Sequence, residues 1–249
     1  MQNREVWIAE TLVELSETLI TDFDDNVYAG VLTARLAELL APAEIGVAIV
    51  GLDVDEWRVT ASNEQVHALV LADATQGDGP CSSCYRDGQQ ILNVDLAVLA
   101  QRWPRFADEV RAAGYGLACA LPMTRHDETV GAIGVFDVPE RPLSDPERDL
   151  ALMLVAAATI GVRQQRELLR SNRVADQLQH ALDSRVVIEQ AKGIVAALLG
   201  VSPDDAFELL RSYARRNNRR LADVAHDTIN RKLSVRDAAA RPSRGNRGK

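Results

Sequence analysis

The chain has 249 residues, 47 % of them hydrophobic and 26 % charged, with a formal net charge of −8. That balance describes a globular chain long enough for one large or two smaller domains, and three cysteines, Cys81, Cys84 and Cys119, are too few for a secreted disulfide scaffold. The charge is unevenly placed: residues 1–184 hold 14 Arg against 29 Asp and Glu, whereas residues 185–249 hold 14 Lys and Arg against 7. Two domains are therefore expected, the basic one facing a polyanion.

The start, MQNREVWIAETLVELSETL, mixes acids into an amphipathic pattern and has no signal-peptide core. Ile8, Leu12, Leu15 and Leu19 share one helical face, and NVYAGVLTARLAELL makes a second helix ending before Pro42. IGVAIVGL (45–52) and WRVTAS (57–62) predict two strands joined by an acidic turn. A helix near 64–72, a breaker-rich loop TQGDGPCSSC, a short strand QILNVDL and a helix through RFADEVRAAG come next. LACALPMT (117–124) and VGAIGVFDV (130–138) form a hairpin about RHDE.

PLSDPERDLALML opens a long helix, with Ser144 or Asp145 as cap and Pro146 in the first turn. Its apolar run LALMLVAAATIGV (150–162) falls short of the roughly 20 residues that span a bilayer, so no membrane partner is expected. Leu154, Ala157, Gly161, Leu168, Ala175, Leu178 and Leu182 share an imperfect heptad seam, interrupted by Gln164 and Ser171. This predicts a connector over 166–182 that pairs in a homodimer. Further on, Val187, Ala191, Ile194 and Leu198 form a buried stripe, which directs Lys192 outward, and Gly193 costs roughly 1 kcal/mol relative to Ala inside a helix. Ser202 caps and Pro203 starts the next helix, whose inner face is Phe207, Leu210 and Ala214. A last helix presents Leu221, Val224, Ala225, Thr228 and Ile229. Arg211, Arg215, Arg216, Arg219 and Arg220, with Asn217 and Asn218, have the character of a phosphate-contacting surface.

The stretch IEQAKGIVAALLGVSPDDAFELLRSYARRNNRRLADVAHDTI resembles an ANTAR domain over residues 183–232, through Ala191-Lys192-Gly193, the Ser-x-x-x-Ala-Phe helix start, Leu210-Arg211, Ala214 and the final LADVA. The resemblance implies a three-helix module that binds paired RNA stem-loops in a nascent transcript and prevents termination, with Lys192 and Arg211 as RNA-contacting positions beside Ala191 and Gly193. Charge alone adds Arg215, Arg219 and Arg220. The tail from 233 to 249 is expected to be a disordered basic segment.

A phosphoreceiver would need a lysine in the first domain, and the first lysine of the chain is Lys192, so Asp53 has no partner for that chemistry. GDGPCSSCYRDGQQILNVDL and GLACALPMTRHDETVGAIGVFDVPERPLSDPERDLALML resemble a GAF domain over residues 1–165. That implies an α+β sensor of antiparallel sheet and helices with a small-molecule or redox signal, and with no cofactor identified. Cys81, Cys84 and Cys119 are the candidate pocket residues; zinc is disfavoured because the pair lacks a second paired motif. A lowered thiol pKa in the Gly-rich loop would make a redox switch. Two other functions are compatible with the residues: a GAF-fold reductase of free methionine sulfoxide using Cys84 or Cys119, and a DNA-binding regulator. The expectation is a cytoplasmic, non-enzymatic antitermination regulator.

Overall fold

The computed structural model describes residues 4–19, 24–51, 56–137 and 141–233. The acidic turn at 52–55, with Asp53, and the tail beyond Leu233 lie outside them. Two compact units divide between Leu169 and Arg170.

The N-terminal unit begins with helices α1 (Arg4–Glu17) and α2 (Asp25–Leu40), the second capped by Asp24, whose carboxylate accepts the Asn26 N–H. Strands β1 (Glu44–Val50) and β2 (Trp57–Ala61) pair antiparallel. Helix α3 (Glu64–Gln76) is capped by Asn63 and ended by Gly77 in the left-handed conformation. Helix α4 (Pro80–Asp87), strand β3 (Ile91–Asp95) and helices α5 (Leu96–Arg102) and α6 (Pro104–Ala112) lead to the hairpin β4 (Leu117–Arg125) and β5 (Glu128–Asp137). The sheet order is β2-β1-β5-β4-β3, antiparallel throughout. His126, at φ +54°, makes the tight turn of RHDE.

Alternation along the strands divides the unit into two layers. Ile45, Val47, Leu121, Ile133 and Val135 pack on α1, α2 and the start of α7 (Asp145–Leu199), with Tyr28 fully buried and its hydroxyl donating to the Ala158 carbonyl. Ala48, Ala118 and Phe136 face the other way, against α3, α5 and α6, where Phe106 and Tyr115 surround Phe136.

Helix α7 starts where Ser144 donates its N–H and hydroxyl to Glu147. The sequence seam is only partly free on it. Leu154 and Gly161 are buried in the N-terminal unit, so they are not available for pairing. The exposed large apolar residues of α7 are Met153, Ile160, Leu168, Leu169, Val174, Leu178, Leu182, Val186 and Leu198. In the C-terminal unit α7 packs with α8 (Pro203–Arg216) and α9 (Leu221–Ile229). Ser202 caps α8 by accepting the Asp205 N–H. The core is Ala191, Val195, Ala206, Leu210, Ala214, Val224, Ala225 and Leu233. Three details of the sequence reading are corrected by it: Val195 replaces Leu198, which is 68 % exposed; Ala206 replaces Phe207 as the fully buried residue; and Leu233 belongs to the core rather than the tail.

Candidate nucleic-acid interface and sensor core

The basic residues of the C-terminal unit come from three local structures. Lys192, on α7, is mostly covered, its side chain 19 % exposed, and its Nζ lies 2.5 Å from Glu189 Oε2. Arg211, on α8, pairs with Glu208 at 3.2 Å, and both pairs span one helical turn. Arg215, Arg216, Arg219 and Arg220 are exposed around the α8–α9 turn. Asn218 takes φ +50° there, a conformation that asparagine tolerates, and the Arg219 N–H returns to the Ala214 carbonyl to close the helix end. The Asn217 side-chain amide donates to the Tyr213 carbonyl, so both asparagines serve the turn. Arg219 pairs with Asp227 at 2.5 Å, and that carboxylate raises its already high pKa.

Ala191 and Gly193 differ in what they offer. Ala191 is fully buried in the bundle core, so its side chain cannot touch RNA; it serves packing. Gly193 is exposed, and a Cβ placed on it would meet nothing within 4 Å. Nothing within the described chain requires glycine at this position.

The three cysteines do not form one site. Cys81 and Cys84 lie on α4, not in a loop, and pack against Ala120 and Ala132 on one face of the sheet. Cys119 belongs to the opposite layer, where its sulfur accepts the Asn93 N–H at 3.1 Å. All three are free and buried. Burial, reinforced by the Asp73 carboxylate, pushes the Cys81 thiol well above its ordinary range and the Cys84 thiol to about 12; burial also raises Cys119. The lowered pKa that a thiol switch or cysteine nucleophile needs is thus replaced by its opposite. Among the described residues, no group of three or more His, Cys, Asp or Glu side chains could hold a metal ion.

Asp73 organises this region and was not singled out by the sequence. It is 2 % exposed, and its carboxylate accepts the Cys81 N–H at 2.7 Å and the Ser82 N–H at 3.1 Å, capping α4 from another helix. Burial raises its pKa, and the hydrogen bonds from Ser82 and Cys81 oppose the rise. A Cβ on Gly79 would stand 2.4 Å from Asp73 Cγ, so glycine is what admits the carboxylate. The available signal was the Asp73…Gly79-Pro80 spacing, which acquires meaning only once α3 and α4 are adjacent. Trp103 Nε1 donates to Ser83 Oγ and ties α4 to the next layer.

A GAF domain family model matches residues 28–163, more than half of the chain. The chain belongs to the GAF domain family. An ANTAR domain model matches residues 176–229, which take in Lys192, Gly193, Arg211 and the α8–α9 turn. No protein in a curated set matches the chain. Similar solved structures include the GAF domain of an Acinetobacter phosphoenolpyruvate-protein phosphotransferase, at 11 % identity and TM-score 0.46, covering 66 % of this chain and 95 % of that one. A GAF domain/HD domain protein from Geobacter sulfurreducens is similar at 20 % identity and TM-score 0.42, covering 64 % and 97 %. The fRMsr of Staphylococcus aureus, in complex with substrate, is similar at 12 % identity and TM-score 0.43, covering 62 % and 94 %. The protein thus joins a GAF domain to an ANTAR domain, the layout of a regulator. Among the described residues, no single helix is long and apolar enough to cross a membrane.

Proposed function

We propose that this protein is a non-enzymatic, cytoplasmic transcription antitermination regulator, in which the GAF domain senses a small molecule and controls an ANTAR domain that binds paired stem-loops of a nascent transcript. The observation that carries the reading is Gly193. It sits inside α7, exposed, beside Lys192, with open space where a side chain would be. Glycine there costs the helix roughly 1 kcal/mol relative to alanine. Among the described residues nothing returns that cost, and close approach of an external backbone to the helix would supply a return. Lys192 and Arg211, the positions carried by the ANTAR resemblance, and Arg215, Arg219 and Arg220 provide cations for phosphates on the same module.

The protein acts as a homodimer through α7. In the GAF domain α7 exposes Met153 and Ile160, and α1 exposes Val6 and Val13. In the C-terminal unit Val174, Leu178, Leu182 and Val186 follow at intervals of four, one ridge of a helix, each more than half exposed. Pairing these ridges in a coiled coil covers apolar surface and supplies two ANTAR bundles for two stem-loops. Ligand binding in the GAF domain would shift the population of paired arrangements.

The test is the affinity of the full chain for a tandem-hairpin leader RNA and for duplex DNA of matching sequence at physiological salt, with Lys192→Ala and Arg211→Ala beside the wild type. Preference for the hairpin RNA, weakened by each substitution, is expected. Preference for the duplex would favour DNA binding, and equal, weak, salt-labile binding to both would reduce the surface to nonspecific electrostatics.

A further inference from the structure

Helix α7 leaves the GAF domain through a collar of polar contacts. Its last buried residues there are Val162 and Arg166, and from Glu167 to Asp183 every residue is exposed. In this final turn three side chains donate to backbone carbonyls at the ends of three different elements. Arg163 Nη1 reaches the Arg125 carbonyl, at the end of β4, at 3.2 Å; Gln165 Nε2 reaches that of Leu19, just past α1; and Arg166 Nη2 reaches that of Val50, at the end of β1. Arg163 Nε also holds Glu128, at the start of β5, at 3.0 Å. At 100° per residue the three side chains cover an arc of about 160° round the helix, and Gln164, opposite the middle of that arc, is exposed.

Just before the collar the helix is keyed. A Cβ on Gly161 would stand 2.6 Å from Tyr28 Oη and 2.9 Å from Leu19 Cδ1, and the Tyr28 hydroxyl donates to the Ala158 carbonyl at 3.2 Å. Sliding or turning α7 there would bring the side chain of Ile160 or Val162 against a fully buried tyrosine, which close packing resists. Beyond the key, hydrogen bonds take over from packing. Each exchanges with water at small net cost, so the collar can open without unpacking the domain.

We propose that Arg163, Gln165 and Arg166 are positioning residues that form the output contact of the GAF domain. Closed, the collar fixes the direction in which α7 emerges; loss of one contact lets α7 bend towards the other two, which changes the α7 residues that face a second copy. Because the acceptors end β1, β4 and α1, a rearrangement of the sheet reaches the helix without a signal touching it. The proposal rests on the reading of α7 as a paired connector and adds the place where the sensor acts on it.

The test uses the full chain with Arg163→Met, Gln165→Met and Arg166→Met combined, which keeps the stems and removes the donors, and Gln165→Met alone as a milder variant. Trp7, Trp57 and Trp103, all in the N-terminal unit, report that it stays folded. Amide exchange over residues 167–175 is expected to rise about ten-fold in the triple variant, less in the single one, and to stay unchanged over 150–158. Unchanged exchange over 167–175, or an equal rise over both segments, would overturn the proposal. Single cysteines placed in turn from Val174 to Leu182 then map the facing residues by oxidation between chains; the native cysteines are buried. Cross-linking is expected to peak at 174, 178 and 182 in the parent chain and one position away in the triple variant. Peaks that do not move would overturn the proposal. No cross-link at any position in the parent, with exchange still raised, would remove the paired connector and leave the collar a local anchor.

Discussion

Gly193 and the cysteines each make a prediction at the scale of one residue. Gly193→Ala is expected to act with opposite signs on two measurements: it stabilises the ANTAR bundle by up to roughly 1 kcal/mol, because Ala is the better helix former and the site is sterically open, yet it weakens hairpin RNA binding. A Cβ that left affinity unchanged would remove close approach as the reason for the glycine. The thiols make a prediction about alkali. Cys84 is raised from about 9 to about 12, so above pH 9 the unfolded chain releases a proton that the native chain keeps. Stability is complete below pH 9 and falls as pH climbs towards 12, by up to about 1.4 kcal/mol per pH unit for each such thiol. All three tryptophans, Trp7, Trp57 and Trp103, lie in the N-terminal unit, so their fluorescence in urea reports that unit alone. Cys84→Ala should flatten the alkaline slope, although Cys81, Cys119 and Tyr28, also raised by burial, keep it from vanishing. An identical slope in the variant would contradict the assignment.

The elements show which signals a sequence carries. Helix α8 was legible because its start is written locally, Ser202 accepting the Asp205 N–H and Pro203 opening the first turn. The β4–β5 hairpin was legible for the same reason. Helix α4 read as a loop because its local residues are breakers; the group that caps it, Asp73, comes from α3 through a tertiary contact. Helix α5 was missed as well, its start at Asp95 merging with the end of β3. Within α7, Ile194, Val195, Leu198 and Leu199 are all apolar, so periodicity could not choose between faces, and packing against α8 and α9 selected Val195 over Leu198. In the candidate interface the exposure of the arginines was legible, and so was the burial of Ala191, which helical periodicity placed on the inward stripe. The exposed ridge of α7 yields a prediction at this scale. Leu178→Asp with Leu182→Asp places two charges at positions 61 % and 58 % exposed, so neither unit should unfold, while sedimentation should shift from dimer to monomer. A mass unchanged by the double substitution would place any dimer contact elsewhere.

At the scale of the molecule the uneven charge becomes measurable. If Lys192, Arg211, Arg215, Arg219 and Arg220 each neutralise one phosphate, the logarithm of the RNA association constant should fall against the logarithm of salt with a slope of roughly −4 per bundle, and roughly −8 when both bundles of a dimer engage. A slope near −1 would leave most of these arginines out of the interface. Three of the five cations already hold a carboxylate: Lys192 holds Glu189, Arg211 holds Glu208 and Arg219 holds Asp227. At those three positions a bound polyanion would not meet vacant charges; it would exchange places with resident carboxylates, and each exchange would return one of them to water. Phosphates spaced to replace all three recover what they displace. Phosphates at the wrong spacing would open internal pairs and leave them open, so such a surface would test geometry before it yielded attraction.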